Sequence, residues 1–283
     1  MISIRAMRAA LLAAPVLLGA CGVAFTPRSA TIAAEYDRYT EGLIASGLLR
    51  TERAPSDAPF TDQDLMQNFE RIAFAVEAFQ DQPAEERPLR RWTGPVRYMM
   101  ANATRTDARR VSELMARIGE LTGMTLIEDD SDFNFLVLFL DSEERSGLAR
   151  SYTIEGADTL ASAMQVPHRV SPCHGHLGGE TAFEISSVLI VINDETSGRL
   201  RASCIEEEIV QALGLTNDDP GVRPSMFNDD EEFAFMTRHD EMLLQMLYHP
   251  RLQPGMSADE ARPLLPAVLA DVKRRNTALP ARR

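Results

Sequence analysis

Two short apolar runs, Phe135-Leu-Val-Leu-Phe-Leu140 and Ser187-Val-Leu-Ile-Val-Ile-Asn193, constrain this fold more than anything else in the chain. Neither alternates polar with apolar, as a strand with one wet face would, so each predicts a strand covered on both sides. Around them the apolar spacing changes to the helical period. Ile32, Tyr36, Tyr39 and Leu43 predict a helix over 31–49, and Leu65, Phe69, Ile72 and Val76 predict one from Thr61 to about Phe79. Thr61 followed by Asp64 is the signature of a helix start. Val111, Leu114, Met115, Ile118 and Leu121 share one face of a helix over 106–122. Segment 89–100 predicts a strand with a turn at Gly94-Pro95, and Thr125–Glu128 predicts another. Short helices are expected within 141–152 and 156–164, and a last one over 264–275. This order of elements specifies an α/β (α+β) layer fold, a twisted mixed sheet with helices packed on it.

The N-terminus speaks to location. Arg5 and Arg8 precede an apolar run, Ala9 to Leu18, that closes in Leu18-Gly-Ala-Cys21. The run is too short to span a bilayer and has the anatomy of a signal peptide. It resembles the leader of bacterial lipoproteins, which implies cleavage before Cys21, lipidation of that cysteine and a membrane partner through the lipid. Gly22, where inner-membrane lipoproteins carry aspartate, implies the periplasmic side of the outer membrane. The predicted organisation is a leader over 1–20, a tether and helix over 21–60, a folded domain over 61–256 and a helical tail over 257–283. The formal charge is −13 with Lys273 the only lysine, so nucleic acid is not an expected partner. With Cys21 taken by lipid, Cys173 and Cys204 remain as a pair, and an oxidising compartment favours a disulfide.

The chemistry is concentrated in Ser203-Cys-Ile-Glu-Glu-Glu-Ile-Val-Gln-Ala-Leu-Gly-Leu-Thr-Asn-Asp218. Ser203 and Glu206 have capping-box spacing and place a helix start there. Ile205, Ile209, Val210, Ala212 and Leu213 fall on one side, while Glu207, Glu208 and Gln211 fall on the other and define a polar cleft. Gly214 suits the left-handed residue that ends a helix. The run Glu207 to Asn217 resembles the zinc helix His-Glu-x-x-His-x-x-Gly-x-x-His of the metzincin peptidases. Pro224-Ser-Met-Phe-Asn228 is similar to their Met-turn, with Met226 in the floor position, and Asp240 to Tyr248 to their final helix. Over about 60–256 the chain also resembles an uncharacterised proteobacterial lipoprotein family, a domain of unknown function. Phe69-Glu-Arg-Ile72, Pro88 to Arg97, Cys204 to Glu208 and Leu247 to Met256 carry that likeness, which implies no activity.

The metzincin resemblance implies a zincin-like fold, but the ligand positions hold Glu207, Gln211 and Asn217. Amides are weak donors to zinc, which takes imidazole, thiolate or carboxylate. The expectation is therefore a protein without a metal and without catalysis, a degenerate peptidase-like module that binds or scaffolds an envelope protein or peptide. The alternative is an active metallopeptidase or hydrolase in which Glu208 is the catalytic general base, with zinc held by Glu207 and unconventional ligands. His168, His174 and His176 surround Cys173, and a disulfide to Cys204 would hold them near the N-terminal end of the motif helix. His239 and His249 are expected at the surface or as caps. Arg90, Arg91, Trp92 and Arg97 form either a ligand-binding edge or a set of arginines paired to acids around a core tryptophan.

Overall fold

The computed structural model describes residues 29–76, 85–151, 171–228 and 230–276. The leader, Cys21, the helix expected over 156–164 and His168 lie outside them. The two apolar runs form the centre of a five-stranded sheet as β6 (Phe135–Leu140) and β9 (Ser187–Asn193), both buried along their whole length. They pair in parallel, from Phe135 against Val188 to Leu140 against Asn193. Outward from β6 lie β4 (Val96–Ala101) and then β5 (Leu126–Glu128), also parallel. On the other side of β9, β7 (Cys173–Gly178) runs antiparallel and closes the order β5-β4-β6-β9-β7. Among the described residues the sheet is therefore mixed, with one antiparallel strand at an edge.

Alternation along the strands divides the two faces. Phe135, Val137 and Phe139 of β6 and Val188, Ile190 and Ile192 of β9 enter the main core. There they meet α2 (Asp62–Ala73), α3 (Arg105–Thr122), α5 (Gly198–Gln211), α6 (Arg238–Leu247) and α8 (Leu265–Asn276). The remaining two helices of length, α1 (Ala30–Ala45) and α4 (Ser142–Ser151), place Tyr36 and Arg145 beside Asn193 at the C-terminal end of β9. Small pairings complete the picture: β1 (Ala75–Val76) with β2 (Glu85–Glu86), and β3 (Arg91–Trp92) with β8 (Glu184–Ile185).

The helix starts obey local chemistry. Thr61/Asp64, Thr104/Asp107, Thr237/Asp240 and, in the short α7 (Ala258–Ala261), Ser257/Glu260 all form reciprocal capping boxes. Ser203/Glu206 does not, which corrects the expectation. The motif helix α5 begins six residues earlier with Ser197 as N-cap, and Glu206 instead takes a two-pronged ion pair from Arg53 at 2.8 and 3.1 Å plus the backbone N–H of Met236. Two helices also end sooner than their apolar spacing suggests. α1 stops at Ala45 with Ser46 and Gly47 behind it, and α2 stops at Ala73, where Ala75 and Val76 turn into strand.

Candidate functional site

The motif helix α5 is held against β7 by the Cys173–Cys204 disulfide. It is buried nearly all round, so its polar residues have few routes to water. Arg201 forms two hydrogen bonds to Asp107 of α3 and one to Asp194, and its guanidinium lies 4.8 Å from the Phe139 ring centre. Glu208 retains only 8% exposure. It lies directly under the exposed Gly175 of β7: a Cβ added to Gly175 would stand 2.9 Å from Glu208 Oε2. Glu207 and Gln211 are half-buried, and the Gln211 amide donates to both carboxylate oxygens of Asp218 at 3.0 Å. Glu207, Glu208, Gln211 and Asp218 thus give α5 and the turn after it an acidic character beside an edge strand.

The end of the helix is locked from outside. Gly214 has φ +116°, and a Cβ there would come within 2.1 Å of the Arg90 carbonyl oxygen. Trp92 donates from its indole to the Ala212 carbonyl at 3.0 Å, and the Tyr248 hydroxyl donates to Leu213 at 2.8 Å. The Arg90–Trp92 segment therefore splints α5. Trp92 belongs to the core, and Arg90 and Arg91 donate to backbone carbonyls of Glu184, Leu177 and Leu247, where pairing with acids was the expectation. Burial lowers the pKa of both arginines. Below the helix, the Met226 N–H and the Ser225 hydroxyl both donate to the Asp240 carboxylate, which also caps α6.

The histidines of Cys173-His-Gly-His176 are on the wrong side of the sheet for this helix. The segment is a strand, in which alternate residues point to opposite faces. Cys173 and Gly175 pair with Ile192 and Ile190 and face α5, whereas His174 and His176 pair with Val191 and Leu189 and face away. Burial, together with the Arg145 guanidinium and His176, pushes the His174 pKa down to about 4. Burial and Arg90 lower that of His176. His239 is fully buried, bonded to Asn68 at 3.0 Å and edge-on to Phe60, rather than at the surface. His249 accepts the Arg251 N–H within the turn that follows α6 and pairs with Asp271, while Tyr248 is the C-cap of that helix.

Asn217, the third ligand position of the motif frame, is drawn elsewhere. Its amide donates to the Arg71 carbonyl at the end of α2, and the residue lines a cavity of about 530 Å³ with Arg71, Phe74 and Asp219. The donor set does not fit zinc. Gln211 and Asn217 offer only neutral amides, weak donors to zinc, and the hydrogen bonds of their nitrogens turn Gln211 to Asp218 and Asn217 to the end of α2; the described histidines lie off this face, and no three His, Cys, Asp or Glu side chains among the described residues are grouped to hold a metal ion. Sequence reasoning missed Gly175, whose role depends on what packs beneath it, and the pairing of Gln211 with Asp218, although Asp218 closes the motif run.

Comparison with known proteins adds one match. A family model described as "Protein of unknown function (DUF2927)" matches residues 62–267. No curated protein and no solved structure matches the chain.

Proposed function

We propose that this chain, which belongs to the DUF2927 family of proteins of unknown function, is a lipid-anchored envelope protein that binds a peptide or protein partner on its α5–β7 face without catalysis. The observation that carries this reading is that two of the three ligand positions hold amides turned apart from one another, the Gln211 nitrogen bonded to Asp218 and the Asn217 nitrogen to the Arg71 carbonyl at the end of α2. A helix frame that keeps its shape while its ligand positions serve internal hydrogen bonds suits recognition.

Three further features support the reading. Among the described residues β7 is the outermost strand of its sheet, and an extended segment recognised by a sheet edge draws affinity from main-chain hydrogen bonds. Gly175 presents no side chain at the middle of that strand. The Glu208 carboxylate beneath Gly175, in a chain of net charge −13, favours a partner with basic residues, at rates that fall with salt. The leader with Cys21 would place this face in the periplasm, on the outer membrane. Residues 62–267 fall within the part held off that membrane by the tether and α1.

Native metal analysis combined with a peptidase assay on wild type and Glu208→Ala tests the proposal. The expected result is substoichiometric zinc and no cleavage that depends on Glu208. Stoichiometric zinc with Glu208-dependent cleavage would overturn it in favour of a metallopeptidase. Crosslinking from a photoreactive residue at the exposed Glu180, just beyond β7, in intact envelopes should capture a partner that Glu207→Arg weakens.

A further inference from the structure

The cavity beside Asn217 is a second site, separate from the α5–β7 face. It opens where α2 ends, and its volume of about 530 Å³ lies within the range of small-molecule pockets. Phe74, Pro88 and Ala258 supply apolar wall. Two observations point to the ligand that fits it.

The first is an unanswered acceptor. Asn217 is 3% exposed, its Nδ2 is committed to the Arg71 carbonyl, and its Oδ1 is buried with no hydrogen-bond partner among the described residues. A buried amide oxygen left without a donor is costly, so a ligand that brings an N–H or O–H to the cavity wall gains a bond once a rotation of the Asn217 side chain turns Oδ1 to face it. Assigning the amide the other way round would set two oxygens, Asn217 Oδ1 and the Arg71 carbonyl, against each other.

The second is charge. Three arginines line the cavity in a chain of net charge −13. Arg262 is neutralised, with charge-assisted bonds to Glu70 at 2.8 to 3.1 Å and to Asp259 at 2.6 Å. Arg71 is not held in this way: its one ion pair among the described residues is with Asp219 at 3.8 Å, beyond hydrogen-bond length. The Ser257 hydroxyl is occupied in its capping box, so it does not compete for a ligand. A planar guanidinium at a cavity wall with its donors uncommitted matches a carboxylate in bidentate fashion.

From these features we infer that the cavity binds a small amphipathic carboxylate carrying an N–H or O–H donor, with the acid on Arg71, the donor on Asn217 Oδ1 and the apolar part against Phe74. The inference does not depend on the α5–β7 reading, and either can fail alone.

Calorimetric titration of the full mature protein with N-acetyl-L-leucine tests it, with two probes each lacking one feature: its methyl ester, without the charge, and 4-methylpentanoate, without the donor. Saturable binding of N-acetyl-L-leucine is expected, weakened about tenfold or more for the ester and for Arg71→Gln, with a smaller loss for 4-methylpentanoate. Amide resonances of Ala75 and Ala258 should shift on binding in wild type and in Glu208→Ala alike. The inference is overturned by an absence of saturable binding at 10 mM (roughly the limit for so small a ligand), by equal affinity for acid and ester, or by binding that leaves Ala75 and Ala258 unmoved. The ester comparison is made on wild type, so it decides the matter even if Arg71→Gln fails to fold.

Discussion

Gly214 shows how much one residue of a degenerate motif can still be required to do. In the sequence it reads as a helix terminator, and its φ of +116° agrees. The larger reason lies outside the helix, because the Arg90 carbonyl occupies the space a Cβ would need. Gly214→Ala should therefore cost about 2 to 4 kcal/mol, combining backbone strain with a forced retreat of the Arg90–Trp92 segment. Urea unfolding with tryptophan fluorescence reads both, since Trp92 donates to Ala212 two residues away. A loss below about 0.5 kcal/mol, the scale of an ordinary surface substitution, would show that β3 yields easily. Gly175 is the opposite case. Nothing in Cys-His-Gly-His marks it as special, and only the placement of Glu208 beneath it makes a side chain there intrusive.

At the scale of elements, local signals served well wherever local chemistry decides. The Thr61/Asp64 cap, the two apolar strands and the face of α3 were legible because capping and burial periodicity act within a few residues. Ser203/Glu206 has the same spacing as a true cap and failed as one, because Arg53, 153 residues distant in sequence, claims the Glu206 carboxylate. β7 was missed for another reason. Two glycines and two histidines in six residues carry little strand propensity, and the strand exists by pairing with β9. Its attachment to α5 was legible from cysteine counting and is formed. Replacing both Cys173 and Cys204 with serine should lower stability by on the order of 3 kcal/mol, through the loop entropy released in the unfolded chain. Unfolding curves with and without reductant check this, and a wild type indifferent to reductant would contradict it.

For the whole molecule, the neutral state of His174 ties stability to pH. Its pKa is about 4 in the fold against an ordinary 6.5, so the unfolded chain binds the proton first as pH falls. The stability it protects is whole above pH 6.5, declines down to about pH 4 and is then constant, at most about 3 kcal/mol in all. Asp107, drawn below the usual carboxylate range by Arg201 and Thr104 despite the opposing effect of burial, and Glu232, drawn down chiefly by Arg223, add losses at lower pH still. Chemical denaturation at pH 7, 5.5 and 4 should show the first decline, and His174→Gln should flatten it. A wild-type profile level from 7 to 4 would contradict the assignment. Sequence alone determined the layer architecture and the cysteine pair, since burial on both faces of a strand and the chemistry of thiols are written in residue type and order. Whether motif side chains meet was decided by tertiary structure alone. The pleat of β7 sends His174 and His176 away from α5, and the end of α2 draws Asn217 into a separate cavity. Both outcomes depend on partners far off in the chain, which no local spacing encodes.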